Sequence, residues 1–157
     1  MTPFPGGFDR FPQRPPSEVE WEDLLLRLEI APRALALAVE DTGGRGAALL
    51  PELKTAVLSD EWLGQAIEAL SEGRALARGG DFLLQLPNEH DVGKRYLGAF
   101  ASRRARNFAM LQRRGINVWD WRAEVDGEPV SMYQLVSAVV DADGERLARV
   151  RQAGREG

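Results

Sequence analysis

Apolar residues return at three- and four-residue steps through four separate stretches of this chain, a periodicity that suits helices and little else. Trp21, Leu24, Leu25, Leu28, Leu35 and Val39 form the first series. Ser17 stands before it as a helix cap, and Glu18 and Glu20 favour the positive end of the helix dipole. Pro32 interrupts the series, which predicts a kink or two shorter helices. Two glycines within residues 42–45 end it. A second helix is predicted from about residue 47 to 71, with Leu50, Leu53, Val57, Leu63, Ile67 and Leu70 on its seam. Residues 73–88 connect it to a third helix, from about residue 89 to 114, which carries Tyr96, Phe100, Phe108 and Leu111. Gly115 stops that helix. Residues 115–130 read as a loop holding Trp119 and Trp121, with a turn at Asp126 and Gly127. Ser131 then caps a fourth helix bearing Met132, Leu135, Val139, Leu147 and Val150, with residues 152–157 fraying. Strand signals are sparse and no repeat is visible.

Four amphipathic helices need one another to cover their seams, so an all-α four-helix bundle over residues 17–151 is the expected architecture. At 157 residues and 44% hydrophobic, the chain suits one domain with one core. It has no cysteine, which excludes disulfides, thiolate metal sites and a cysteine nucleophile, and fits a reducing compartment. A net charge of −4 argues against nucleic acid as a partner of the whole molecule. No apolar run reaches the roughly 18–20 residues of a membrane span, and residues 1–16 lack a signal-peptide core. A soluble cytoplasmic protein is the expectation.

Residues 1–16 hold five of the nine prolines. Proline fixes its own φ and pushes the preceding residue towards extended backbone, so an extended or disordered arm is predicted. One reading makes it a solvated tail. The other has Phe4, Phe8 and Phe11 docking in a groove on this chain or on a neighbour.

From Tyr96 the chain runs YLGAFASRRARNFAMLQRRGINVWDWRAEVDGEPVSMYQLVSAVVDADGERLARV. Phe100, Arg104, Asn107 and Leu111 on one helix, then Trp119 or Trp121, then Gly127 with Ser131, succeed each other in a way that resembles the order and spacing of the DinB-like superfamily. The resemblance covers roughly residues 96–150, with a weaker likeness over 17–72. It implies a four-helix bundle with three metal-binding histidines, two of them in a His-Asp-x-x-His-Leu motif on the last helix. Counting from Leu135 places that motif, without a gap, on Ala142, Asp143, Gly144, Glu145, Arg146 and Leu147. The family's third histidine would fall near Ala56 or Val57. The single histidine of this chain, His90, lies elsewhere, at the start of the third helix. Arginine keeps its proton and cannot ligate a metal. The resemblance therefore implies a bundle whose metal site is lost, with no metal and no cofactor. A substitute carboxylate site would draw on Asp60, Glu61, Asp141, Asp143 and Glu145, for which a solvated acidic edge is the alternative.

Arg104, four residues from both Phe100 and Phe108, falls on the seam of the third helix. A seam arginine either pairs with an acid, Asp143 or Asp60, or snorkels past the seam to solvent. A polar cluster of Arg104, Asn107, Asp143 and Arg146 is expected near the vacated metal position. Lys94, Arg95, Arg103, Arg106, Arg113 and Arg114 give the same helix a basic side, either a solvated face or a seat for phosphate or an acidic partner. Trp119 and Trp121 cannot both face inward if their segment is extended, so one should pack under the loop and the other border a pocket. No hydrolase triad, phosphate loop or dinucleotide pattern is framed correctly.

Three functions are compatible with these features. The first is a non-catalytic binding or scaffold protein, with a protein partner or a second copy of itself. The second is a metal-independent enzyme using Arg104, Asn107, Asp143 and Trp121 on a small anionic substrate. The third is a regulatory domain with a small ligand between its helices. The missing reactive groups tilt the enzyme question towards no.

Overall fold

The computed structural model describes residues 7–43, 49–77, 92–114 and 116–156. Helix α1 spans Glu18–Glu40. Its start is a reciprocal cap: the Ser17 hydroxyl accepts from the Glu20 amide, and the Glu20 carboxylate accepts from the Ser17 amide at 3.0 Å. Arg14 clamps the same carboxylate through both of its terminal nitrogens. The Arg14 hydrogen bond, followed by that of the Ser17 backbone, draws the Glu20 pKa down to about 2. Pro32 neither splits α1 nor ends it: the helix is continuous, and Pro32 is buried on the inner face with Trp21, Leu28, Leu35 and Ala38. The outer face is not polar throughout, because Val19, Leu26, Ile30 and Leu37 are exposed there.

Helix α2 spans Leu50–Glu72, with a proline in its first turn, and ends at Gly73 in the left-handed region (φ 68°). Helix α3 spans Val92–Gln112. Gly115, expected as its stop, lies outside the described residues. Helix α4 spans Met132–Glu156 and stays helical past Gln152, where fraying was expected. Ser131 and Gln134 cap α4 as Ser17 and Glu20 cap α1, with side-chain-to-amide bonds of 3.0 and 3.2 Å.

The stretch 115–130, expected as a loop, carries more structure than its sequence suggested. Ile116–Asp120 forms a 3-10 turn. Strands β1 (Arg122–Val125) and β2 (Glu128–Ser131) pair antiparallel, with Val125 opposite Glu128. Asp126 (φ 53°) and Gly127 (φ 81°) close them in the two-residue turn that positive φ values permit. Leu76 lies beside β1, donating to the Glu124 carbonyl at 2.8 Å and accepting from the Asp126 amide at 2.9 Å. Strands of four residues whose buried apolar residues are only Ala123, Val125 and Val130 are too brief to stand out as alternation.

Helix α1 packs on α3 and α4, and α2 packs chiefly on α3 and also touches α4. Two apolar cores result. The larger gathers Trp21, Trp62, Leu63, Leu111, Val118, Met132 and Leu135, and the smaller gathers Leu35, Leu53, Val57, Phe100 and Val150. Along the four helices, the level of the Leu28 carbonyl, Asp60, Arg104 and Asp143 separates the two groups.

The described part of the arm lies along its own chain. Phe8, in a single 3-10 turn Phe8–Arg10, is 1% exposed and stacks on Trp62 with ring centroids 6.3 Å apart. The Gln134 amide donates to the Phe8 and Phe11 carbonyls at 3.3 and 3.2 Å. Arg10 pairs with Asp141 on α4 at 3.1 Å. Phe11 packs half-buried against the larger core. Phe4 lies outside the described residues.

Candidate functional site

Between the two cores stands a charge. Arg104 on α3 is 1% exposed, and its guanidinium has five N–H groups in a fixed fork. All five are engaged. Nε and Nη2 donate to the two oxygens of Asp60 on α2 at 2.8 and 2.9 Å. Nη1 and Nη2 donate to the two oxygens of Asp143 on α4 at 2.7 and 3.0 Å. Nη1 also donates to the Leu28 carbonyl on α1 at 2.8 Å. One side chain thus fastens all four helices, and it does so with the bidentate geometry that makes arginine hard to replace. Phe100, one turn earlier, lies under the cation with its ring centre 4.9 Å away.

The Leu28 carbonyl is available for a local reason. In an unbroken α-helix it would accept from the amide of residue 32, and Pro32 has none. Arg104 supplies the missing donor. Proline inside the first helix and arginine on the third are therefore two halves of one device. Removing Arg104 should cost about 1–3 kcal/mol less in a Pro32→Ala background, where the backbone satisfies Leu28 itself. A double-mutant cycle read from urea midpoints measures this coupling.

Electrostatics favour the charged form of Arg104. Burial disfavours the Arg104 cation, but the charges and hydrogen bonds of Asp60 and Asp143 outweigh it and hold its pKa above the ordinary arginine value. Burial pushes the Asp60 carboxyl up, against the pull of Arg104. Asn107, 2% exposed, donates to the Asp60 backbone oxygen at 2.9 Å and to its carboxylate at 3.2 Å. Gly64 makes room for this, since a Cβ there would stand 3.1 Å from the Asn107 Oδ1. Arg146, 2% exposed, donates from Nη1 to Asp143 at 3.2 Å, while its buried Nε has no hydrogen-bond partner. Burial lowers the Arg146 pKa. The four expected members, Arg104, Asn107, Asp143 and Arg146, are together, joined by Asp60 and the Leu28 carbonyl.

The residues that the resemblance would set at metal positions do not fit a metal. Ala142 is buried beside the cationic Arg146, and Ala56 and Val57 are fully buried and apolar. Among the described residues, no three His, Cys, Asp or Glu side chains stand where they could hold an ion. The carboxylates considered as substitutes are engaged by cations: Asp60 and Asp143 hold Arg104, Glu61 pairs with Arg103, and Asp141 pairs with Arg10. His90 lies outside the described residues.

Other expected positions fall elsewhere. The Trp119 segment is a 3-10 turn, not extended, so both Trp119 and Trp121 pack half-buried against the larger core. Trp121 lies beneath the Arg114 guanidinium at 5.6 Å. Neither borders the cavity of about 170 Å³ between α1 and α4, which Ile30, Ala34, Leu35, Phe100, Arg146 and Leu147 help to line. On the basic side of α3, Arg103 is taken by Glu61, while Arg106 and Arg113 are exposed. The role of Gln134, which holds both the start of α4 and the arm, was signalled by its spacing of three from Ser131.

No family model, curated protein or solved structure matches the chain.

Proposed function

We propose that this chain is a DinB-like four-helix bundle that has replaced its metal site with an arginine clamp, and that it works as a non-catalytic binding or scaffold protein. The observation that carries the reading is the saturation of Arg104: five N–H groups, five acceptors, and an acceptor from each of the other three helices. A guanidinium so held has no donor left for a substrate, and its raised pKa removes it as a proton donor. The contacts of α1 with α3 and α4, and of α2 with the same two helices, support the bundle arrangement.

A second reading has its own support. The unpartnered Nε of Arg146 and the apolar cavity it helps to line suit a small carboxylate with an apolar body, held for regulation and not for chemistry. Calorimetric titration of the purified chain separates the readings. Zn²⁺ and Ni²⁺ are expected to give no binding isotherm, and one tightly held equivalent of either overturns the loss of the metal site. Short aliphatic and aromatic carboxylates are expected to be silent if the chain is a scaffold. Binding that vanishes in an Arg146→Met variant selects the ligand reading.

A further inference from the structure

Among the described residues, the four large hydrophobic side chains that are exposed, Val19 (75%), Leu26 (56%), Ile30 (51%) and Leu37 (52%), all belong to α1. At 100° per residue they fall within about 20° of a single line along the helix. That line lies opposite the buried face formed by Trp21, Leu28, Pro32 and Leu35. A helix apolar on two opposite faces has a second surface to cover. Two further positions complete the stripe at alternating steps of four and three: Asp23 and Arg33, both exposed. The outer seam of α1 thus reads Val19, Asp23, Leu26, Ile30, Arg33, Leu37, which is the a/d pattern of a coiled-coil strand.

We infer that α1 is the interface of a homodimer in which two copies pack antiparallel about a twofold axis. In an antiparallel pair each a position meets a d position of the partner, and here the pairs close on themselves. Val19 meets Leu37, Leu26 meets Ile30, and Asp23 meets Arg33, each twice by symmetry. The two charges of the seam therefore neutralise each other across the axis. A parallel pairing would set Asp23 against Asp23 and Arg33 against Arg33, which charge forbids. Within one chain Asp23 already accepts from Arg27 through Oδ2 at 2.9 Å, and its Oδ1 is left to face the partner's Arg33. The stripe runs about 27 Å along α1, a small interface by the standards of permanent dimers, so association is reversible and concentration-dependent. The inference does not depend on whether the bundle ever held a metal.

Sedimentation velocity over micromolar to millimolar concentrations tests it. The parent chain is expected to pass from monomer to dimer, and Ile30→Asp to stay monomeric with unchanged far-ultraviolet circular dichroism. Asp23→Arg and Arg33→Asp should each weaken self-association by about tenfold or more, since each sets like charges in two symmetric layers. Mixed in equal amounts, those two variants should recover the dimer, because every mixed layer then joins an acid to a base. A parent chain that stays monomeric throughout, or single-charge variants that associate as tightly as the parent, would overturn the antiparallel interface.

Discussion

Arg104→Met will lower the unfolding free energy by about 3–5 kcal/mol, the cost of leaving buried charge without its partner. The substitution keeps an apolar stem of similar girth and removes the guanidinium, so most of the loss comes from the charge and its hydrogen bonds. Asp60, 1% exposed, would retain only Asn107 as a side-chain donor, and the Leu28 carbonyl would lose the donor that stands in for the missing amide of Pro32. Arg104→Lys should fall between the two, because a single ammonium cannot grip two carboxylates through paired oxygens and reach a carbonyl as well. Combining Arg104→Met with Asp60→Leu should recover part of the deficit, as removing both members of a buried pair commonly does. Urea denaturation reads all three, provided the slope of the transition is unchanged. A loss below about 1 kcal/mol for Arg104→Met would mean that water, not carboxylate, solvates the guanidinium.

Phe8→Ala will cost about 3–5 kcal/mol, the range for a fully buried aromatic ring, and should lower the melting temperature by about 10 °C. The ring is enclosed against Trp62, which is itself 0% exposed and bonded through its indole N–H to the Ala77 carbonyl at 2.8 Å. Emptying the Phe8 position therefore leaves a cavity between rigid walls that cannot collapse to fill it. Truncating the arm through Phe11 should cost more, since the Gln134 amide loses both of its carbonyl acceptors and Asp141 loses Arg10. An arm that instead serves a partner would show the opposite pattern: an unchanged melting temperature and a lost association.

The helices were legible because their signals are local and redundant. Ser17 with Glu18 and Glu20, and Ser131 alone, mark two helix starts, and the apolar steps of α1, α2 and α4 trace the helix bodies. The seam position of Arg104 came from its spacing to Phe100, and its need for an acid came from burial. The sequence could not say that Asp60 and Asp143 would share the guanidinium, because that depends on how three helices meet. Nor did it show that Pro32 creates the third acceptor. A proline signals a broken hydrogen bond, but not which distant donor repairs it. The hairpin escaped for a different reason: it is held by the Asp126 and Gly127 turn and by Leu76, not by hydrophobic alternation of its own.

The clamp has a consequence for rates. Its ties join residues 76, 44 and 39 positions apart in the chain, so each requires most of the loop-closure entropy to be lost first. Contacts of that span, with strict two-oxygen geometry, consolidate after the main folding barrier, once both apolar cores have brought the helices into place. Their energy then resides almost wholly in the barrier to unfolding. Arg104→Met should leave the refolding rate close to that of the parent while unfolding accelerates about a hundredfold or more, visible as a lifted unfolding arm in stopped-flow chevrons. The arginine thus acts as a latch, setting how long the folded molecule persists more than how readily it forms.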